Sequence, residues 1–332
     1  SAMLPGGFLY DGTTMEEIDA NATRIAARAA LAKGAQAVVI SGVFSPMLAK
    51  QEHEAADIVK QELAAAGLSD VSITISSDVA GLGLLERENA AVLNATLRPL
   101  AGRVLPATHA AVVACGCSNA SLYMTQNDGT VIAAAEAERL PIRCVSCGPV
   151  NSLRGAALLS GIKDAMVVDV GGTTTDVGAI IGGFPRPSSF DAYIGNVRTN
   201  SPVPLVHSIG IGGGSLVSSD DSHVGPSSVG SSLLQSAISF GGNVCTATDV
   251  AFLLGHAPSS LLAKGSVDSV RNVLARSKAE AAWADVQEQI AAAVDSCKVT
   301  SASVQVILVG GGAFLVHDTI PSVHAVVRPP HA

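Results

Sequence analysis

The sequence is poor in aromatic rings and in charge. Its 332 residues include 1 Trp, 3 Tyr and 7 Phe, and charged residues make up only 14%. So few rings leave no stacking platform for nucleobases, and the core must be built from Val, Ile, Leu and Ala. Lys and Arg total 20 against 28 Asp and Glu, a net charge of −8. With no basic run, neither nucleic acid nor an anionic membrane is an expected partner. No stretch approaches ~18 consecutive apolar residues, so no transmembrane helix is expected. A basic-then-apolar leader is also missing, and the expected location is the cytoplasm. Six cysteines are too few for a disulfide scaffold. What is abundant is aliphatic: 48% of residues are hydrophobic. That content excludes intrinsic disorder, and the length suggests about two domains of ~150 residues.

The order of elements points to an α/β protein. Residues 15–33 carry Ile18, Ala22, Ile25 and Ala29 at helical spacing, and Gly34 stops that helix. A short strand over 37–41, a helix over 51–66 and a strand over 71–76 follow. A helix is expected over 86–97, ended by Pro99, and a small-residue strand over 110–114. Residues 130–139 and 150–160 read as helices. Such alternation signals a mostly parallel sheet layered with helices. At Ala165 the character changes: 165–170 is an apolar strand running into Gly171 and Gly172, and a second apolar run covers 177–181. Strand, glycine turn, strand is a hairpin, and the domain boundary is placed before it, giving 1–164 and 165–332. Residues 182–232 are rich in Gly, Ser and Pro and read as cleft-lining loops. Residues 261–297 read as helix and 304–309 as a last buried strand, broken by Gly310, Gly311 and Gly312.

The strongest local signal is Asp169-Val170-Gly171-Gly172-Thr173-Thr174-Thr175-Asp176. A strand delivers a carboxylate to a turn of two glycines and three hydroxyls, then a second carboxylate. Glycines let backbone N–H groups approach phosphate oxygens closely. Threonine hydroxyls add donors, and Asp169 and Asp176 suit Mg²⁺. A hairpin whose Thr and Asp side chains merely satisfy the turn would give the same pattern. Gly210-Ile211-Gly212-Gly213-Gly214-Ser215 resembles half of a dinucleotide fingerprint, but it opens no βαβ unit. Gly310, Gly311 and Gly312 follow a strand directly. They could pass under an adenosine ring or form an ordinary strand-to-helix turn.

Cys115/Cys117 and Cys144/Cys147 offer four thiols, but the first pair is one residue too close for a zinc knuckle. It is also expected to end an apolar strand, so these cysteines read as structural and reduced. His207, shortly before Gly212, could face a cleft. His53, His109, His223, His256, His317 and His324 show no metal-ligand spacing. No catalytic base can be named from the residues, and neither a G-x-S-x-G elbow nor a Walker A sequence is present.

Taken together, the motifs resemble the hydantoinase/oxoprolinase family. Val168 to Val177 is similar to its internal "DMGGTSTDV" segment, and Ile209 to Ser215 to its "xGAGGGS". Val224 to Gly230 is similar to "VGPxSAG". Thr246 to Val250, with Leu254-Gly255, resembles "TxTDAxxxLG". Glu86-Arg87, Leu93-Asn94-Ala95 and Arg98-Pro99 resemble the "ER…LNAYLxP" block. Cys147-Gly148-Pro149-Val150 stands where the family has "SGPA", and Arg328 to His331 resembles "RPPH". The matches run in order over nearly the whole chain.

The resemblance implies a two-domain actin-like ATPase (ribonuclease H-like) fold, with mixed sheets flanked by helices. It implies an enzyme that uses Mg²⁺ and ATP to open cyclic amides such as hydantoins and 5-oxoproline. Activation would come by phosphorylation of the amide oxygen, followed by hydrolysis; carboxylase relatives activate ketones similarly. Asp169 and Asp176 would organise Mg²⁺-ATP, and Gly171, Gly172, Thr173 and Thr174 would contact phosphate. Gly212, Gly213, Gly214 and Ser215 would line the cleft, with Gly310, Gly311 and Gly312 near adenosine. A hydantoinase B-type partner subunit or fused half would supply a hydrolytic metal site, and a homo-oligomer is compatible.

Two departures stand out. The family's earlier "DxGGTFTD" hairpin has no counterpart before Leu4, so either the chain is a piece of a longer enzyme or part of the ATP site is lost. Leu205 stands where an Asp is common. A non-catalytic nucleotide-binding or regulatory module, and a small-molecule kinase on the same fold, are the alternative readings.

Overall fold

A computed structural model describes residues 1–68, 70–188, 192–220, 222–298 and 302–330. The chain forms two compact units, 1–147 with 188–203, and 148–187 with 204–332. The division falls at the start of a helix rather than at 164/165, and the chain returns once to the first unit. That helix belongs with the second unit because Leu153, Ala156 and Ala157 pack on Val167, Ile180, Ile307 and Val309 of its sheet.

The first unit runs α1 (Ala20–Ala32), β1 (Ala37–Ile40), α2 (Lys50–Ala65), β2 (Ser72–Ile75), α3 (Ser76–Val79), α4 (Leu84–Ala114), β3 (Tyr123–Thr125), β4 (Val131–Ala133) and α5 (Ala134–Arg139). β1 and β2 pair in parallel. Alternation in β1 sends Val38 and Ile40 toward Ala27, Val59 and Leu63 of α1 and α2, and Val39 toward Ala90 and Ala91 of α4.

Helix α1 starts at Ala20, later than its apolar pattern suggested, because the Asp19 carboxylate accepts from Asn21 N and Ala22 N and fixes the N-cap there. The expected face is also wrong. Ile25 is 68% exposed and Ala29 is exposed, while Thr23 and Ala27 are buried. Helix α4 runs through Pro99 and Pro106 and absorbs 110–114, where a strand was expected. An Ala-rich segment without a strand to pair with keeps its backbone bonds satisfied as helix. Cys115 and Cys117 therefore end an exposed helix, not a strand. At 130–139 the first residues pair with β3 as β4, and only α5 is helical.

Beneath α3 and α4 lies a buried polar relay. Glu52 and Arg87 are only 2% and 1% exposed. Glu52 Oε1 accepts from Gly42 N at 2.7 Å, Ser45 Oγ at 2.9 Å and Ser76 Oγ at 2.6 Å, and Oε2 accepts from Ser77 N at 3.0 Å. Arg87 donates to Ser76 Oγ at 2.8 Å, and to the carbonyls of Gly81 at 3.2 Å and Gly42 at 2.5 Å. Buried charges persist only when partnered and hydrogen-bonded.

The second unit opens with α6 (Cys147–Ser160), β5 (Ala165–Val170), β6 (Thr175–Ile181) and β7 (Phe184–Pro185). The hairpin β8 (Ala192–Ile194) and β9 (Val197–Thr199) belongs to the first unit. The second resumes with β10 (Val206–Ile209), β11 (Ser215–Val217), β12 (Val224–Ser228), α7 (Leu233–Ser236), α8 (Ala247–Leu254), α9 (Ser259–Leu262), α10 (Val267–Arg271), α11 (Arg276–Cys297), β13 (Val304–Val309) and β14 (Val323–Val327). Short paired strands thus replace the expected loops of 182–232. The expected helix at 261–297 is three, broken around Gly265, where a Cβ would lie 2.8 Å from the Phe252 ring. The "RPPH"-like segment reaches Pro330, and His331 lies outside the described residues.

The main sheet has the order β10-β6-β5-β13-β14, with β7 on β6. β5 pairs antiparallel with β6, as the apolar runs around the glycine turn implied, and also parallel with β13. Both faces are covered, which explains the unbroken apolar run of β5. Val168 and Val170 meet α8 and α11 on one side, while Val167 meets α6 on the other. Among the described residues, no helix is long and apolar enough to cross a membrane.

All six cysteines are free thiols. Burial pushes Cys144 and Cys245 up from 9.0 to about 11. At pH 8 they hold about 100-fold less thiolate than an unperturbed thiol. Iodoacetamide mapping should label Cys115 and Cys117 first, with Cys144 and Cys245 accelerating about tenfold per pH unit toward pH 11.

Candidate functional site

The structure converges the three glycine-bearing segments on one hairpin. Residues Gly171–Thr174 join β5 to β6, and Gly171 N donates to Thr174 O at 2.9 Å. Gly172, Thr173 and Thr174 are exposed. Among the described residues, their backbone N–H groups and the two threonine hydroxyls have no hydrogen-bond partner. A row of unspent donors on a tight turn is an anion cradle.

Asp169 and Asp176 are direct partners in the β5–β6 register. Cross-strand partners share a face, and like charges there repel unless a cation lies between them. Ser208, the next partner along on β10, donates its hydroxyl to Asp176 Oδ1. The Asp169 carboxylate has no hydrogen-bond partner among the described residues. Half-buried carboxylates beside free N–H groups are a donor set suited to Mg²⁺ and phosphate together. No cluster of three or more His, Cys, Asp or Glu side chains is present among the described residues, so an ion here would take its remaining ligands from phosphate and water. His207 does not join the group: it pairs with Val177 and faces away from the Asp169/Asp176 side. Ser208 is the residue the sequence reading missed, because only the register of β10 on β6 sets it beside Asp176.

The second glycine run supports the turn from beneath. Gly212, Gly213, Gly214 and Ser215 are buried. Gly213 N donates to Gly171 O at 3.0 Å, and Gly214 N to Gly172 O at 2.7 Å. Gly212 N is held by Ser215 Oγ at 2.9 Å, which itself donates to Gly210 O. Their donors are therefore already engaged within the protein. A Cβ on Gly212 would stand 2.5 Å from Thr173 N. Thr175 Oγ1 ties β6 to Ile211 O at 2.7 Å. Behind this run, Thr248 donates both N and Oγ1 to Gly213 O, and Asp249 completes a capping box with Thr246. These two residues matched a family motif in the sequence without an evident role; their role is to anchor the support.

The third run closes the other side. Gly312 N donates to Val170 O at 2.7 Å. Gly310, at φ +94°, leaves room for Asp169, whose Oδ1 would stand 2.3 Å from any Cβ there. Gly311 is exposed and faces open space.

Gly212→Ala should destabilise the second unit by about 3 kcal/mol, because the intruding methyl meets backbone that cannot move aside. Gly311→Ala should change stability by less than about 1 kcal/mol. Urea denaturation of both variants checks the contrast.

The hydantoinase/oxoprolinase profile matches residues 87–312, and the hydantoinase/oxoprolinase N-terminal region matches residues 1–63. The acetophenone carboxylase gamma subunit of Aromatoleum aromaticum is 30% identical over 254 residues, covering 74% of this chain and 34% of that protein. The caprolactamase subunit alpha of Pseudomonas jessenii is 28% identical over 272 residues, covering 79% and 38%. The chain thus spans little more than a third of the length of these relatives. A crystal structure of the ATP-dependent caprolactamase from Pseudomonas jessenii superposes with a TM-score of 0.69 at 23% identity, covering 93% of this chain and 48% of that one. Nucleotide-free acetone carboxylase gives 0.64 at 19% identity, covering 93% and 46%. These likenesses identify the fold as the actin-like ATPase fold, and the chain belongs to the hydantoinase/oxoprolinase family.

Proposed function

We propose that this chain is the ATP-binding part of an ATP-dependent hydrolase that opens the C–N bond of a cyclic amide of the hydantoin, 5-oxoproline or lactam type. The observation that carries the reading is the β5–β6 turn. Its free N–H groups from Gly172 to Thr174 lie at the end of strands that hold Asp169 and Asp176 side by side. ATP would supply the phosphoryl group that activates the amide oxygen. The turn N–H groups and the hydroxyls of Thr173 and Thr174 bind phosphate oxygens. Asp169 and Asp176 hold Mg²⁺, and the Ser208 hydroxyl orients Asp176. Gly212, Gly213, Gly214 and Ser215 keep the turn in one shape, Gly310 and Gly312 close against Asp169 and Val170, and Gly311, which faces open space, leaves room for the nucleoside. Fixed donors aimed at phosphate need no reorganisation during reaction. A hydantoinase B-type subunit or region would complete the hydrolytic step, in keeping with the relatives' names as subunits. Six free thiols and the use of ATP support a cytoplasmic location.

A carboxylase reading is favoured by one observation, the 30% identity to the acetophenone carboxylase gamma subunit. Stimulation of ATP consumption in the complete complex separates the two: a lactam or hydantoin supports the first, a ketone with bicarbonate the second.

Calorimetry should show Mg²⁺-ATP binding to this chain in the millimolar range, about −4 kcal/mol. Asp169→Ala should weaken it about tenfold or more, an effect of at least ~1.4 kcal/mol. Equal heats from wild type and a folded Asp169→Ala variant would overturn the nucleotide assignment.

A further inference from the structure

The sole tryptophan of the chain has no part in the nucleotide site as drawn so far. Trp283, on α11, is 7% exposed. Its ring stacks on His256, with centroids 4.2 Å apart and planes 16° from parallel. Its Nε1 donates to His317 Nε2 at 2.8 Å. A buried indole N–H needs an acceptor, and this one comes from an exposed residue a few positions after Gly310, Gly311 and Gly312.

Residues 313–318 form a strap with little regular structure of its own. It contains a single 3₁₀ turn, Ala313–Leu315. Side chains pair its backbone instead. Gln287, one turn beyond Trp283 on α11, grips it with both ends of its amide. Nε2 donates to Leu315 O at 2.8 Å, and Oε1 accepts from His317 N at 2.9 Å. Arg328, just past β14, donates to Ala313 O at 2.9 Å and to Val316 O at 2.7 Å, and its Nε holds Asp318 at 2.9 Å. Leu315 and Val316 are buried in the core with α8 and α11.

The strap is continuous with the third glycine run. Ala313 N donates to Gly310 O at 3.0 Å, and Leu315 N to Gly312 O at 2.9 Å. These i to i+3 bonds join run and strap into one short coil, so a displacement of Leu315 carries to the glycines. Gly311 faces open space, and its position is set by what holds its neighbours.

We propose that Gln287 and His317 are positioning residues for the nucleotide: with Trp283 they clamp the strap to α11 and thereby fix Gly311 against the nucleoside. The phosphates are taken by the β5–β6 turn, which Gly213 and Gly214 hold from another side, and do not depend on the clamp. Placing the nucleoside at Gly311 rests on the functional reading above; the clamp itself rests on hydrogen bonds alone.

The test compares Mg²⁺-ATP with Mg²⁺-tripolyphosphate, which has the phosphates and no nucleoside, on this chain. Trp283 reports the clamp by its fluorescence. In wild type, ATP should change that emission and tripolyphosphate should not. By calorimetry, His317→Leu should weaken ATP about fivefold and Gln287→Leu about tenfold, the scale of one and two lost hydrogen bonds, with tripolyphosphate affinity unchanged. His317→Gln, which offers Trp283 a new acceptor, should recover most of the ATP affinity. A role confined to stability would move neither ligand, or both alike. Thermal unfolding checks that each variant is folded, and His317, being exposed, is replaced without opening the core. The proposal is overturned if ATP and tripolyphosphate weaken together, if ATP binds both Leu variants as it binds wild type, if His317→Gln is as weak as His317→Leu, or if tripolyphosphate changes the wild-type emission as ATP does. If neither ligand binds wild type, the nucleotide reading falls and the proposal with it, a result distinct from the other four.

Discussion

The second unit depends on backbone meeting backbone without side chains between. Three chain segments, distant in sequence, meet at Gly171 and Gly172. Gly213 and Gly214 donate to their carbonyls from below, and Gly312 donates to Val170 from the side. Any Cβ at Gly212 or Gly312 would stand 2.5–2.7 Å from backbone atoms of the turn. Glycine is required here for space rather than for an unusual φ at Gly212. The approach also decides the chemistry. The carbonyls of the turn are used inward, so its N–H groups from Gly172 to Thr174 remain outward and unspent. Those N–H groups and the hydroxyls of Thr173 and Thr174 are the donors the turn leaves unused among the described residues.

Charge is handled differently in the two units. In the first, Glu52 and Arg87 are deep, opposite in sign and joined through the Ser76 hydroxyl, with Glu52 accepting four hydrogen bonds and Arg87 donating three. That arrangement is structural: it ties the turn at Gly42 to α3 and α4. In the second, Asp169 and Asp176 are like charges set side by side, and among the described residues only Asp176 has a hydrogen-bond partner, Ser208. A fold gains no stability from that pairing. The contrast between a closed network and an open, repulsive one separates scaffold from site on physical grounds.

The sequence by itself determined the elements whose pattern is local. The apolar runs flanking Gly171 and Gly172 could only be a buried hairpin, because both faces of β5 and β6 are covered and the turn between them is too polar and glycine-rich for helix. The strand ending at Val309 was equally plain, and the ordered motifs were enough to point to the family. Other elements depended on neighbours. The α4 segment from Ala110 to Ala114 has strand-like residues but no strand to pair with, so it stays helical. Ile25 of α1 looked like a core residue, yet the buried face of the helix carries Thr23 and Ala27, and Ala27 packs with Val59 and Leu63 of α2. Which glycine donors are free and which are spent was decided only by tertiary structure, since hydrogen-bond partners 40 or 140 residues away leave no mark on local pattern. The same holds for Ser208 over His207: both are polar residues in one strand, and only the register of β10 on β6 places one beside Asp176. Spacing along the chain reports periodicity, whereas a site is made by what the fold leaves unpaired.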